Sequence, residues 1–261
     1  METGEMQFEK KSFASRLKSM LRVDAQRVFK GYFFYIMAGI SLLIPIAVLL
    51  MTSFNMGGES AADSMGFSNA WQIIASLSSD SSGMSITSMC GMNLVYFLVL
   101  IFGSVLVSED FRSGYAKNLF SVRAKKNDYA VSKILTVSAA GVLMLLCFFA
   151  GAMIGGAIAG LSFALEGANA ANAVFCLLAK IFLVPLFSSL AIVFGCAAKK
   201  RTWLSVLLSL AAGMLLFMIV PMMTPLDAGI FQTVLCLAGG VAFSVVFGVV
   251  TDQVLKRTNL A

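Results

Sequence analysis

Apolar positions fall into six long runs, and the charged positions gather between them. The runs cover approximately residues 32–52, 89–107, 134–163, 181–198, 203–220 and 229–250. A helix of about 20 apolar residues is long enough to cross the hydrocarbon of a bilayer. The pattern therefore predicts an all-α polytopic membrane protein with six transmembrane helices.

Composition and charge agree with this prediction and add an orientation. Of the 261 residues, 59% are apolar and only 12% are charged, against roughly a quarter charged in ordinary globular domains. Basic residues gather before the first run, between the second and third, at 199–201 and near the C-terminus, with Lys180 as the exception. Because Lys and Arg mark the cytoplasmic side, we expect both termini in the cytoplasm.

The chain divides at the start of the first run. Residues 1–31 are expected to form a cytoplasmic amphipathic helix, and residues 32–261 a six-span domain with an outer loop at 53–88 and a cytoplasmic loop at 109–133. The residues that share the apolar face of that helix are Phe13, Leu17, Met20, Leu21 and Val28. Such a helix lies along the interface and reaches anionic headgroups with its basic side chains. The alternative is a basic anchor without an ordered helix.

A second short helix is expected in the outer loop. Trp71, Ile73, Ile74 and Leu77 follow Ser68, and serine is a preferred residue for capping a helix N-terminus. We expect this helix to rest on the outer membrane interface.

The polar loop at 109–133 is the most distinctive segment. Its 25 residues hold nine of the chain's 32 formal charges. Phe111, Tyr115 and Leu119 are spaced i, i+4, i+8, which places them on one face of a helix. That face is predicted to dock on a partner protein, since aromatic and arginine side chains carry most interface energy. The full set of predicted docking residues is Glu109, Phe111, Arg112, Tyr115, Lys117, Asn118 and Leu119. The alternative is a solvated basic loop.

Four glycines in the third run, Gly151, Gly155, Gly156 and Gly160, form two small-xxx-small pairs. Such pairs allow close helix packing in lipid. Packing within the chain, a seam between two copies and a flexible part of a translocation path are the alternatives.

Lys180 has two predicted placements. If the fourth span starts at Ile181, Lys180 lies at the outer interface. If the span starts near Asn172, Lys180 is buried and either pairs with Glu166 or Asp227 or faces an anionic substrate.

The last two runs are joined by a proline-containing segment at 221–228. It either re-enters the membrane or forms a tight outer turn.

The sequence offers no catalytic chemistry. It has no histidine, its five cysteines lack metal-ligand spacing, and it has no Gly-rich loop ending in Lys-Ser or Lys-Thr that would cradle a phosphate. We therefore expect a protein that is not an enzyme and has no metal or cofactor of its own.

The order of residues in the polar loop carries a family resemblance. The carboxylates Glu109 and Asp110 are followed by Gly114, by a Lys-Asn-Leu stretch at 117–119, by a basic cluster at 123–126 and by Lys133. Together with the basic N-terminal helix and the six runs, this order resembles the permease subunits of type-2 ABC exporters. The style is closest to permeases of Gram-positive bacteria that handle antimicrobial peptides such as lantibiotics or bacitracin.

The resemblance implies a function and a set of partners. Two permeases, identical or homologous, would pair with two cytosolic ABC ATPases that bind ATP and Mg, and the polar loop would dock on an ATPase. The complex would move amphiphilic peptides outward across a bacterial cytoplasmic membrane. An ATP-independent channel or secondary carrier and a membrane sensor or scaffold are the alternatives.

Overall fold

A computed structural model describes residues 13–55, 67, 69–76, 91–121, 126–165 and 168–257, and the regular elements in these ranges are helices. In chain order they are α1 (Phe13–Lys30), α2 (Tyr32–Asn55), a 3-10 turn (Ala70–Ile73), α3 (Leu94–Arg112), α4 (Tyr115–Ser121), α5 (Lys126–Ile158), α6 (Ala170–Ala198), α7 (Thr202–Phe217), α8 (Val220–Met223) and α9 (Ile230–Arg257). Helices α2, α3, α5, α6 and α9 are long and apolar enough to cross a membrane.

The sixth predicted span differs from the other five. Helix α7 has 16 residues, which is about 24 Å of helix and shorter than the roughly 30 Å hydrocarbon of a bilayer. It ends at Phe217, and the single turn of α8 follows with Pro221 in its first turn. Because proline has no N–H to donate, it fits the start of this new turn better than the interior of one long helix.

Neighbouring contacts show that the long helices alternate in direction. Gly103 of α3 lies against Ala191 of α6, and Gly195 lies against Val107, so α3 and α6 run the same way. Helix α5 runs opposite to both, since Gly141 packs on Val99 whereas Val137 packs on Gly103. We call the end that holds α1, α4 and the C-terminus of α9 the basic end.

Helix boundaries at the basic end correct the sequence prediction. The third span was expected to begin at residue 134, but α5 begins at Lys126. The second was expected to end at residue 107, but α3 continues to Arg112. The helices continue through these charged residues because Asp110, Asp128 and Lys133 form ion pairs inside the bundle. At the other end, α5 stops at Ile158 rather than at 163, and Gly160 follows with a φ of 70°.

Two of the four singled-out glycines bring α2 against α5. A Cβ on Gly151 would collide with the backbone oxygen of Leu42, and one on Gly155 would lie 2.9 Å from the Cα of Ile46. These glycines therefore serve packing within one chain. Gly156 lies against Ala70 of the outer loop in the same way.

The outer-loop helix is a single 3-10 turn. Asn69 caps it, with Oδ1 accepting from the N–H of Trp71 at 3.1 Å. Ile73 is buried, so the turn packs into the protein with its apolar side. The predicted cap Ser68 and Leu77 lie outside the described residues.

Candidate functional site

The predicted docking face is interrupted by a helix break. Helix α3 ends at Arg112, Gly114 has a φ of 76°, and α4 starts at Tyr115. A positive φ is easily adopted by glycine but not by most other residues, so the chain changes direction there. The expectation that Phe111, Tyr115 and Leu119 line one continuous helix is wrong, because Phe111 belongs to α3 and is buried.

The remaining predicted docking residues surround α4 unequally. Ala116 is buried, and Tyr115 and Leu119 are half-buried, so this side of α4 faces the protein. The exposed side chains are those of Lys117 and Asn118 on α4 and of Glu109 and Arg112 in the last turn of α3. The surface that α4 offers to a partner is therefore polar and basic rather than aromatic.

Four charged side chains from three helices meet beneath α4, and we call them the charge network: Asp24, Arg27, Asp110 and Lys133. Lys133 of α5 lies at its centre. Its Nζ is 2.8 Å from Oδ1 of Asp24 on α1 and 2.7 Å from Oδ2 of Asp110 on α3. All three side chains are almost completely buried.

Arg27 completes the charge network from α1. Its Nη1 donates to Oδ1 of Asp110 at 2.6 Å. Two cations thus face two carboxylates, and the formal charge of the network is zero. Burial lowers the pKa of Arg27 and Asp110 raises it, with a net rise. The guanidinium therefore stays charged.

Hydroxyl groups add one further hydrogen bond to each carboxylate. Tyr129 donates to Oδ2 of Asp110 at 2.9 Å, and Ser132 donates to Oδ2 of Asp24 at 2.6 Å. Both donors come from α5, as Lys133 does. A buried ion pair is stable only when such hydrogen bonds compensate its lost hydration.

Tyr115 connects α4 to the charge network. The guanidinium carbon of Arg27 lies 4.2 Å from the centre of its ring, a cation–π contact. Burial and the nearby Asp24 raise the pKa of the Tyr115 phenol, so it stays neutral at physiological pH. Movement of α4 is thereby linked to α1, α3 and α5 through one cluster.

Two further bonds fasten the basic end. Arg16 of α1 pairs with the buried Asp128 of α5 at 2.9 Å, and Lys126 donates to the carbonyl oxygen of Leu255 in α9 at 2.6 Å. Helix α1 is thus held by ion pairs at two places, through Arg16 and through the charge network. Of its predicted apolar face, Val28 is buried, but Phe13 is exposed.

Sequence reasoning missed the charge network. Asp24 was not singled out, although it is the only acidic residue of α1 and lies four residues before the buried Val28. That isolated acidic residue on the apolar side of a basic helix was the available signal. Its partner Lys133 is 109 residues away, and no local pattern predicts such a contact.

Lys180 lies in a second polar cluster near the opposite end, which we call the lysine site: Lys180, Asn93 and Thr224. Helix α6 begins at Ala170 rather than at 181, and Lys180 is fully buried. Its Nζ donates to Oδ1 of Asn93 at 2.6 Å and to Oγ1 of Thr224 at 3.0 Å. Asp227 makes no ion pair with it, and Glu166 lies outside the described residues.

The segment at 221–228 folds over the lysine site. The N–H of Leu226 donates to the carbonyl oxygen of Ser76 at 2.8 Å. The thiols of Cys176 and Cys236 donate to the carbonyl oxygens of Thr224 and Met223 at 3.5 and 3.6 Å. The described residues contain no cluster of His, Cys, Asp and Glu that could hold a metal ion.

Comparison with known proteins gives one result. A family model described as ABC-2 family transporter protein matches residues 29–216, which run from the end of α1 to the end of α7. No curated protein and no solved structure matches the chain. Because the family model covers well over half of the 261 residues, the chain belongs to the ABC-2 family of transporter proteins and is a multi-pass membrane permease rather than a catalytic subunit.

Proposed function

We propose that this chain is the permease subunit of an ATP-driven exporter, and that the outer face of α4 docks on a separate cytosolic ATPase. ABC-2 permeases generally work with ATPase subunits and often dimerise. The observation that carries the proposal is the position of α4. It lies between two spans, exposes Lys117 next to the exposed Arg112 at the end of α3, and rests on the charge network.

The orientation follows from the distribution of charge. Apart from Lys180, the described basic residues lie at the basic end, on α1, around α4, at 199–201 and at the end of α9. The positive-inside rule assigns this end to the cytoplasm of a bacterial cell. Both termini are then inside, and α7 with α8 completes a sixth crossing.

The charge network gives the docked helix a mechanical connection to the spans. Asp110 and Lys133 lie at the ends of α3 and α5, the two helices that flank α4. A buried network with satisfied hydrogen bonds is rigid. When the ATPases bind ATP and close, the displacement of α4 is passed to both helices and to α1 rather than lost in a flexible loop.

Helix α1 has a supporting role at the cytoplasmic interface. It is attached to α5 through Asp24 and Arg16, while Lys18 and Arg22 are exposed. Exposed basic side chains next to a membrane interact with anionic headgroups. We assign α1 the role of holding the basic end at the membrane surface.

The cargo we propose is an amphiphilic peptide or a related compound, as in permeases that confer resistance to antimicrobial peptides. A second permease, identical or homologous, completes the pathway. ATP and Mg belong to the ATPases, because this chain has no phosphate-binding loop.

The docking proposal is tested by co-purification of the ATPase with charge-reversal variants. Arg112→Glu combined with Lys117→Glu reverses two exposed charges, one at the end of α3 and one on α4, and both side chains are exposed. We expect the recovered ATPase to fall at least about tenfold, since like-charge contacts at an interface cost several kcal/mol. Membrane insertion should be unchanged.

The matched control is Arg257→Glu, an exposed basic residue at the same end. It should retain the ATPase. Equal recovery from the double variant and from the wild type would show that α4 is not the docking element. Alanine substitutions of the predicted aromatic docking residues would not test docking. Phe111 is buried and Tyr115 makes the Arg27 contact, so their loss would disturb the protein itself.

A further inference from the structure

Lys180 is a fully buried cation that no carboxylate neutralises within the described part of the chain. Its two acceptors, Oδ1 of Asn93 and Oγ1 of Thr224, are neutral. No described carboxylate forms an ion pair with its Nζ. Burying an unpaired ammonium costs several kcal/mol, so the lysine site is complementary to an anion.

A small polar cavity adjoins the ammonium group. Asn93, Lys180, Pro221 and Thr224 line it together with residues 72–76 and Gly91, and about 10 Å³ is open to the centre of a water-sized molecule. This space corresponds to about one water. It accepts one small polar group and excludes a bulky one.

An apolar cleft of about 280 Å³ also borders α8. Its walls come from α6, from α7 with α8, and from α9, and its lining includes Leu183, Phe187, Met223, Gly239 and Phe243. A cleft lined in this way suits a hydrocarbon chain.

Adjacent residues at α8 line the cavity and the cleft. Pro221 and Thr224 line the polar cavity, whereas Val220 and Met223 line the apolar cleft. Because sequence neighbours line the two spaces, an acidic group at the cavity and a chain in the cleft are within the reach of one molecule.

At the boundary between the cavity and the cleft, Thr224 makes only uncharged-acceptor hydrogen bonds. Thr224 accepts from Lys180, while its own hydroxyl donates to the carbonyl oxygen of Val220 at 3.0 Å. An acidic group that replaces Thr224 as the acceptor leaves that second bond intact. The exchange converts a neutral hydrogen bond into a charge-assisted one, which is roughly twice as strong.

We propose that the lysine site and the adjoining cleft bind a single-chain acidic amphiphile, with its acidic group on Lys180 and its apolar chain between α6, α7 and α9. The inference rests on the proposed export function and narrows its cargo to amphiphiles that carry a negative group. An uncharged amphiphile fills the cleft but leaves Lys180 without a counter-ion.

The test compares dodecanoate with dodecanol, which share a chain and differ in charge. Equilibrium binding is measured on the full-length protein in phosphatidylcholine nanodiscs. The wild type should bind dodecanoate at least about tenfold more tightly than dodecanol, because a hydrogen bond to a charged group contributes about 1.5–3 kcal/mol. Lys180→Met should abolish this preference.

One further variant tests the contribution of the cleft to binding, and another is a control for loss of a lysine. A Cβ on Gly239 meets nothing within 4 Å, so Gly239→Leu fills the cleft and should weaken both probes. Lys256→Met removes an exposed lysine and should bind as the wild type does. If Lys180→Met keeps the preference, or the wild type binds both probes equally, the inference is wrong.

An internal counter-ion would also overturn it. Asp80 lies in sequence between Ser76 and Gly91, and Glu166 precedes α6, but both are outside the described residues. A dodecanoate preference that appears only in Asp80→Asn or Glu166→Gln would mean that the chain neutralises Lys180 itself. Association with an ATPase does not involve Lys180, so loss of the dodecanoate preference alone leaves the proposed permease role intact.

Discussion

The charge network and the lysine site both bury a lysine, but they treat its charge in opposite ways. Lys133 lies between two carboxylates, and Arg27 balances the second of them. Among the described residues, Lys180 bonds to the neutral oxygens of Asn93 and Thr224 and to no carboxylate. A neutralised network is suited to fixing helices together, whereas a buried lysine that pairs with no described carboxylate is suited to binding an anionic ligand. The first lies beneath the proposed ATPase-docking helix and the second beside an apolar cleft.

The largest expected effect is on stability at the charge network. Lys133→Met leaves Asp24 and Asp110 buried without their shared cation, and removal of one partner from a buried ion pair costs about 3–5 kcal/mol. Thermal unfolding in detergent should show a marked drop in Tm. Lys117→Met, an exposed lysine on α4, is the control and should change the unfolding free energy by less than about 0.5 kcal/mol. Equal Tm values would contradict the central position of Lys133.

A double-mutant cycle resolves the second ion pair of the charge network. Arg27→Gln and Asp110→Asn each break the 2.6 Å contact while preserving most of the side-chain shape. Coupling between residues in one ion-pair network is about 0.5–3 kcal/mol, and the buried carboxylate favours the upper part of that range. The measurement is the unfolding free energy of the two single variants and the double variant. Strict additivity would mean that the pair contributes nothing.

A smaller effect is expected beside the lysine site. The hydroxyl of Tyr96 donates to the backbone oxygen of Lys180 at 2.8 Å, and its ring stacks on Phe187 at 4.5 Å between centroids. Tyr96→Phe retains the stacking and removes one buried hydrogen bond, for a loss of about 1 kcal/mol. Equilibrium unfolding should detect it. A loss as large as that of Lys133→Met would mean that the lysine site is a structural anchor like the charge network.

The smallest effect is expected for Lys180→Met itself. Methionine has a similar length, and replacing an uncompensated buried charge by an apolar group is often neutral or stabilising. The free energy of unfolding without added ligand should change by less than about 1 kcal/mol or increase. A destabilisation of several kcal/mol would indicate that Lys180 has a carboxylate partner within the chain, and the contrast with Lys133 would disappear.

The sequence predicted the features that depend on local composition. Runs of apolar residues marked the five long helices, and the isolated position of Lys180 marked it as unusual. A helix start near Asn172, left open as an alternative, is close to the observed Ala170. The sequence also contains a signal for the helix break at Gly114, since a glycine between two short polar stretches is a common place for a helix to end.

Long-range pairing could not be predicted from the sequence. Asp110, Asp128 and Lys133 were assigned to the cytoplasmic loop at 109–133 because charged residues usually mark the end of a span. They are buried because partners from α1 neutralise them, and that partnership requires the fold to exist first. Phe111 was expected on the docking surface of the same loop, but it belongs to α3 and its side chain is buried.

Site-specific photo-crosslinking tests most directly whether the ATPase docks on α4 at the basic end and not at the end that holds the lysine site. A photoreactive amino acid replaces Lys117 on α4 in one variant and Met222 on α8, an exposed residue near the lysine site, in another. Each is expressed together with the cognate ATPase. We expect a covalent permease–ATPase product from position 117 and none from position 222. A product from position 222, or no product from position 117 while the complex still co-purifies, would contradict docking through α4.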